Sequence, residues 1–553
     1  MEKEVLIIGS GIAGLTAAIS CAEKGIKVKL ASPFQSERSQ SVMAMGGINA
    51  ALDNRGEGDS AESHMEDTLR SGCNIAGREA VKGLCNEAPN IIHWLEKLGT
   101  VFTTDESGRT DQRAFGGQSF KRTCYAGAST GKQIVTALVM EARKYEAEGL
   151  ITRLLWHDFH SALIADGKCY GALLYNEASM DLVPIYSDAV IMATGGQNSL
   201  FGKTTGSTQC DGYSAGRLFM QGVELKNLEF IQYHPTTILT HQKRMLVSEA
   251  ARGEGGRLYY LSDDNPPKRV YFMEDKYGKK GNLMTRDVVS REIYDVKKDV
   301  FLDVSFLDAE AIDRKLPEVR DCCLKYAGVD IRKESVKVEP SVHFFMGGLA
   351  VNNRHETNIK NLYAVGECAS IYHGANRLGG NSLLAAIYSG KVAASDICEA
   401  HKDAELVGAE SVDFTSFIED EKGKLHEGMK SKSKFPVMYI RDMLAESMWE
   451  LLGIVRDEET LDRGIEDVSY YLSIANSIHY DGSILPYFNY SLEGILTLAK
   501  ATLICTKERR ESRGAHFRRD YPETKDEFRY ATIISYDEGA YNVRLDKEGI
   551  YES

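Results

Sequence analysis

The sequence predicts an α/β protein: a discontinuous first domain built on a doubly wound parallel sheet, an α+β domain inserted into it, and a helical domain after it. Three observations predict this. A short apolar strand, Val5 to Ile8, runs into Gly9-Ser10-Gly11-Ile12-Ala13-Gly14, a helical pattern from Leu15 to Ala22 and a second strand at Val28 to Ala31. Two further apolar strands that run into glycine, Asp188 to Gly196 and Leu362 to Gly366, stand far downstream. From about residue 405 the sequence turns charged and amphipathic, with apolar residues three and four apart, as in Met438 to Leu452.

The opening strand, turn, helix and strand are the start of a Rossmann-like dinucleotide fold. Its three glycines have separate tasks: Gly9 for the tight turn, Gly11 for close backbone approach to a pyrophosphate, and Gly14 for packing the helix on the strand. The acidic residue that commonly ends the second strand and holds a ribose is replaced by Ser32, followed by Pro33, which nothing in the sequence explains. The two downstream strands carry the remaining turns, Ala193-Thr194-Gly195 and the one before Glu367. They flank a long insertion, so the first domain is expected at 1–222 plus 340–404. The insertion is expected at 223–339 and the helical domain at 405–553, ending in a hairpin tail over 530–553.

At 553 residues the chain is too long for one compact core, and a 43% hydrophobic fraction supplies several. A net charge of −14 argues against nucleic acid or an anionic membrane as partner of the whole surface, so positive charge that meets an acidic substrate must be local. No apolar window approaches the ~20 residues of a membrane span, and the first strand begins close to Met1. A mature, cytoplasmic chain without direct membrane insertion is the expectation. Eleven cysteines without a Cys-x-x-Cys pair are read as reduced thiols, with no metal or iron–sulfur cluster held by this chain alone.

Further words follow the glycine turn in a fixed order. They are His234-Pro235-Thr236, Ser248-Glu249-Ala250-Ala251-Arg252-Gly253-Glu254, Arg286-Asp287, His343 before Gly347-Gly348, and His373-Gly374-Ala375-Asn376-Arg377. With the first, they resemble the flavoprotein subunits of fumarate reductase and succinate dehydrogenase, a family that includes L-aspartate oxidase; the resemblance runs from residue 1 to about 520. It implies an FAD-binding domain, a capping domain in the insertion, and FAD held by Gly9, Gly11, Ala13, Gly14, Ser32, Ser39, Gly46, Gly47, Ala193, Thr194, Gly195, Asp211, Glu367, Arg377, Ser382 and Leu383. Serine at position 32 fits this family. Glu367 is expected on a ribityl hydroxyl, and a helix opening near Ser382 is expected to face the flavin pyrimidine.

Flavin chemistry suits reduction of an activated double bond, which needs an anion clamp and a proton donor. Guanidinium forks match carboxylates. By resemblance, Arg377, His234 and His343 hold the substrate carboxylates with Ser248 assisting. Arg286 donates the proton, although a free arginine has a pKa of about 12.5–13.8. Glu249 and Arg252, three apart and on one face if their segment is helical, relay protons to it.

Two positions choose within the family. Phe115 stands where aspartate oxidases tend to carry a glutamate, which favours fumarate or succinate over aspartate. Gln40 stands where the membrane-linked enzymes carry a histidine bonded to the flavin, so FAD is expected to be noncovalent, and succinate oxidation correspondingly difficult. The expectation is fumarate reduction to succinate by a soluble complex with a separate iron–sulfur subunit, as in the thiol:fumarate reductases. The alternatives are L-aspartate oxidase, a succinate dehydrogenase flavoprotein, and a noncatalytic electron-transfer flavoprotein.

Overall fold

The computed structural model describes residues 3–127, 129–240, 244–400, 412–430, 436–475 and 486–551, so the boundary expected at 404/405 lies outside the described residues. A five-stranded sheet orders its strands Leu362–Ala364, Ala189–Met192, Glu4–Ile8, Lys27–Ser32 and Ile151–Leu155, every neighbouring pair parallel. Burial on both faces is why these strands read as continuous apolar runs rather than as alternation: Leu6, Ile7, Val190 and Ile191 are all fully buried. The edge strand Ile151–Leu155 was not anticipated, because its sequence, Ile-Thr-Arg-Leu-Leu, is mixed in character.

The register aligns what the sequence scatters. Ile8 pairs with both Met192 and Ala31, and Met192 pairs with Ala364. The turns after these residues therefore end level with one another, at the carboxyl edge where open α/β sheets bind ligands. Helices Ile12–Ala22 and Asn381–Ala400 pack against each other. Gly390 permits this, since a Cβ there would lie 2.8 Å from the Ala13 carbonyl oxygen.

A second, six-stranded sheet is antiparallel throughout, in the order Arg244–Leu246, Ile231–Leu239, Val336–Phe345, Val300–Asp303, Arg257–Leu261 and Arg269–Val270. Helices Arg286–Val296, Ala309–Lys315 and Pro317–Ala327 belong with it, and Ile238, Val247, Leu258, Val289, Leu302 and Val319 share its core. This α+β unit has a core separate from that of the parallel sheet.

The amphipathic stretch read at Met438 to Leu452 is the helix Val437–Leu451. Helices Glu458–Ala475 and Leu492–Glu508 pack beside it. The terminal hairpin, Thr532–Asp537 with Ala540–Leu545, is more than a tail: its first strand pairs with Leu225–Lys226, which pairs in turn with Gly348–Ala350. Beneath it Arg509, fully buried, bonds Glu229 at 2.5 Å and Glu511 at 2.9 Å, pairing the charges it hides from water. Among the described residues no helix is long and apolar enough to cross a membrane.

Candidate active site

One long cavity follows the carboxyl edge of the parallel sheet and ends against the six-stranded sheet. At its first end Gly9 has φ +106°, and a Cβ there would stand 2.3 Å from the Ala193 carbonyl oxygen, so the turn admits only glycine. Gly14 does not line the cavity; its missing Cβ leaves room for the Gly9 carbonyl oxygen, which such a carbon would meet at 1.9 Å. Its task is to let the helix sit on the turn, and it reaches a ligand only through Gly9. Ser32 does line the cavity, with Ser10 Oγ donating to its hydroxyl at 2.9 Å.

Gly11, Ala13, Ser39, Gly46, Gly47, Ala193, Thr194, Gly195, Ser382 and Leu383 share the same wall. Ser39 Oγ and Gln40 Oε1 are buried there without a hydrogen-bond partner, which suits a ligand with polar edges and a backbone-lined phosphate path. Asp211 also faces the cavity, but its carboxylate already accepts from Tyr487 Oη at 2.8 Å and the Tyr213 amide at 3.0 Å and is ion-paired with Arg441 at 3.4 Å. The helical region thus braces this end. Glu367 accepts from the Phe345 amide at 3.1 Å, and burial pushes its carboxyl up to about 7.

At the other end the strand Ile231–Leu239 carries Gln232 and His234 two residues apart, hence on one face. Its register shifts between His234 and Thr237, where Pro235, which has no N–H to give a ladder, is accommodated in an irregularity. The neighbouring strand brings His343, and the two imidazoles lie 5.2 Å apart in a T-shaped contact. The Thr236 amide donates to His234 Nδ1 at 3.3 Å, and Thr205 Oγ1 lies 2.7 Å from His343 Nδ1. His234 Nδ1 also lies 3.2 Å from the Thr236 carbonyl oxygen, so each Nδ1 is engaged within the protein and each Nε2 is the ring nitrogen left for the cavity. Burial and then the Arg286 charge hold both rings far below the usual histidine range, so they are neutral at pH 7.

Arg286 opens the helix Arg286–Val296, where a cation opposes the helix dipole. This local conflict is settled by tertiary contacts: Arg286 Nε and Nη2 both donate to Glu249 Oε2, at 2.9 and 2.7 Å. Glu249 precedes the single-turn helix Ala250–Gly253, and its Oε1 accepts from the Gly116 amide at 2.9 Å and faces Arg252 Nη2 at 3.5 Å. Burial acts to raise the Glu249 pKa, but the charges of Arg286 and Arg252 outweigh it and bring it to about 2. Arg252 lies behind Glu249, out of the cavity wall, and donates from Nη1 to the Asn282 carbonyl at 2.6 Å. The three residues form a buried row that starts at the cavity.

Arg377 enters from the loop between His373 and the helix Asn381–Ala400, with its guanidinium 4.3 Å from the centroid of the Phe344 ring. That loop is rigid by construction: Asn49 Nδ2 donates to Gly379 O and Asn381 Oδ1, both at 2.7 Å, and a Cβ on Gly380 would strike Asn49. Ser248 and Phe115 complete the wall. Phe115 is buried against Gly46 and Gly379, so the surface it offers is apolar.

Sequence reasoning missed Gln232 and Thr205. Gln232 could have been found from its place two residues before His234 in a strand; Thr205 sits in a loop and left no signal. In formal charge Arg286, Arg252 and Glu249 sum to one positive charge and Arg377, whose guanidinium pKa is lowered by burial and by the neighbouring Arg286, adds a second, while both histidines are neutral. Arg244, also in the wall, is paired with Glu339. The arrangement can bind an anion of two charges and deliver a proton from one of the groups that touch it.

The chain has known relatives in both sequence and fold. Residues 4–383 match the FAD binding domain family, and residues 441–551 match the fumarate reductase flavoprotein C-terminal family. The succinate dehydrogenase flavoprotein subunit of Bacillus subtilis is 38% identical over 545 residues, covering 95% of this chain and 92% of its own. The matching chain of the fumarate reductase (CoM/CoB) of Methanothermobacter marburgensis is 35% identical over 551 residues, 97% of each. A variant of E. coli quinol fumarate reductase FrdA superimposes with a TM-score of 0.88 at 28% identity, covering 99% of this chain and 96% of that one. Two family matches and near-complete coverage of such relatives lead to one conclusion: this chain belongs to the flavoprotein subunits of the succinate dehydrogenase and fumarate reductase family, and its cofactor is FAD.

Proposed function

We propose that the chain is the catalytic subunit of a fumarate reductase. The observation that carries this reading is the doubly positive end of the FAD cavity, where Arg286, backed by Glu249 and Arg252, stands beside Arg377 and two neutral histidines. The glycine turns, Ser32, Ser39 and Glu367 would hold FAD, which when bound supplies the hydride for an activated double bond. Gln40 offers no nucleophile, so the cofactor is retained without a covalent bond.

Arg377, His234 and His343 hold the two substrate carboxylates, and the Ser248 hydroxyl assists. Unequal partners on the two carboxylates favour a twist that withdraws one of them from conjugation. Arg286 gives its proton to the alkene carbon next to the one reduced. Its neutral form then removes the main charge that held the Glu249 pKa down. Burial, which acts to raise the Glu249 pKa, then weighs more heavily against the remaining pull of Arg252, so that Glu249 takes up a proton and passes it back to Arg286, with Arg252 as the next member of the row. Movement of the inserted domain, read as residues 223–339, would exclude water during transfer.

The partner in this reading is a separate iron–sulfur subunit, and similarity to the CoM/CoB-type fumarate reductase favours thiols as the electron source. Succinate oxidation by the same site is the second reading, favoured by the 38% identity to the Bacillus subtilis protein. Phe115 speaks against an aspartate oxidase, since its ring has no carboxylate to pair with the substrate ammonium.

The test is anaerobic mixing of chemically reduced holoprotein with fumarate, followed at the flavin band, with aspartate added to the oxidised form in parallel. Rapid reoxidation by fumarate, with flavin released on acid precipitation, is expected. Bleaching by aspartate without reoxidation by fumarate would replace this reading with an aspartate oxidase.

A further inference from the structure

Gln232 is fully buried and lies between the proton donor and the clamp. Its Oε1 accepts from Arg286 Nη1 at 3.0 Å and from Arg377 Nη2 at 2.9 Å. Its Nε2 donates to Asn376 Oδ1 and to the Arg377 carbonyl, both at 2.8 Å. Chemistry alone fixes this amide orientation, because a guanidinium has no acceptor and a backbone carbonyl has no donor. Both lone pairs and both N–H bonds are thereby used within the protein, so Gln232 has nothing left for a substrate.

The chain of bonds continues. Asn376 Nδ2 donates to Asp287 Oδ1 at 2.7 Å, and Asp287 adjoins Arg286. A closed ring therefore runs from Arg286 through Gln232, Asn376 and Asp287 and back along the backbone. It ties the first turn of the helix Arg286–Val296 to the strand Ile231–Leu239 and to the Arg377 loop.

We propose that Gln232 is the positioning residue that holds the two guanidiniums at a set separation and, by doing so with a neutral oxygen, fixes the site's preference for a dianion over a monoanion. A carboxylate at this position would hold two guanidiniums as well or better, but would cancel one of the two positive charges. An apolar side chain would preserve the charge and release the geometry. Only a neutral acceptor does both. The inference rests on the fumarate-site reading and adds to it the residue that sets charge selectivity.

The experiment titrates oxidised, FAD-loaded protein with succinate, a dianion, and with propionate, a monoanion, and follows the flavin absorption. Flavin content per chain is checked for each variant. In Gln232→Glu, the repulsion is worked for an added charge separated by roughly 6 Å from each substrate carboxylate. At an effective dielectric of about 20, Coulomb's law weakens succinate by about 10⁴-fold and propionate by about 10²-fold, the square root of that factor, since it is repelled once instead of twice. Gln232→Met keeps the charge: succinate binding stays within about tenfold of wild type, while reoxidation of the reduced flavin by saturating fumarate falls by a further factor of at least ten, because Arg286 has lost its aim.

Equal losses for both anions in Gln232→Glu, or no loss, would overturn the proposal. So would a Gln232→Met protein whose reoxidation rate at saturation matches wild type, and this second variant decides the matter if Gln232→Glu does not retain FAD. A wild-type protein whose flavin responds to neither fumarate nor succinate would instead overturn the functional reading itself, and this inference with it.

Discussion

Replacing Glu249 by glutamine separates binding from turnover. The carboxylate is 2% exposed and is brought from 4.5 to about 2 by its two arginines. At 1.36 kcal/mol per pH unit this displacement corresponds to about 3 kcal/mol of native stability, within the range found when one member of a buried ion pair is removed. The sign follows from the direction of the shift. The folded pKa lies below the unfolded one, so the contribution is complete above pH 4.5 and disappears as the pH falls toward 2. Glu249→Gln should therefore lower the thermal midpoint at pH 7, and the difference from wild type should shrink in acid.

The effect on the site runs the other way. Without Glu249 the reacting end holds one more uncompensated positive charge and Arg286 is free to turn to the ligand, so succinate and fumarate bind as tightly as to wild type, or more tightly. The proton returned to Arg286 has lost its carrier, and kcat for fumarate reduction falls by about 10²–10⁴. Stopped-flow reoxidation of the reduced holoprotein gives the rate, and titration of the oxidised flavin gives the affinity. Wild-type kcat in Glu249→Gln, or a loss carried entirely by weaker binding, would refute the relay.

Three further outcomes are expected. Arg286→Ala should lose more than 10³-fold in fumarate turnover while keeping FAD, and Arg286→Lys should recover little, since one ammonium cannot repeat the two bonds to Glu249 and the third to Gln232; steady-state rates beside the flavin-to-protein absorbance ratio measure this. Gly9→Ala should reduce FAD occupancy and lower stability by about 1–3 kcal/mol, because the residue is held at φ +106° against the Ala193 carbonyl; a wild-type absorbance ratio would contradict that account of the turn. Apoprotein stability should decline as the pH rises from 4.5 to 7, because the Glu367 carboxyl is pushed up to about 7 and the unfolded chain gives up its proton first; thermal scans across this interval should show a shallower decline in Glu367→Gln.

Much of this protein was legible before folding. The turn from Gly9 to Gly14 could be read because positive φ and close backbone approach are local demands that glycine alone meets, and the strands at Val5, Val28, Ala189 and Leu362 because burial on both faces leaves an unbroken apolar run. The histidines and arginines of the site could be read because each sits in a distinctive word. Gly14 shows the limit of such reading: it belongs to the turn's word, yet packs behind the cavity wall.

Sequence by itself thus determined the local conformations, the residue types at the reacting end and the family to which they belong. Tertiary structure decided how they are joined. The bidentate bond from Arg286 to Glu249 spans 37 residues, and the bond from Arg377 to Gln232 spans 145. The terminal hairpin pairs with Leu225–Lys226, some 300 residues earlier in the chain. Gln232 looked like an ordinary strand residue because nothing in its neighbourhood along the chain demands an amide; two buried guanidiniums, delivered by a helix start and a distant loop, create that demand. Periodicity and turn chemistry record what each segment needs from its own backbone, whereas desolvated charges must be paired by whatever the fold brings beside them, and only the packed molecule states which partners those are.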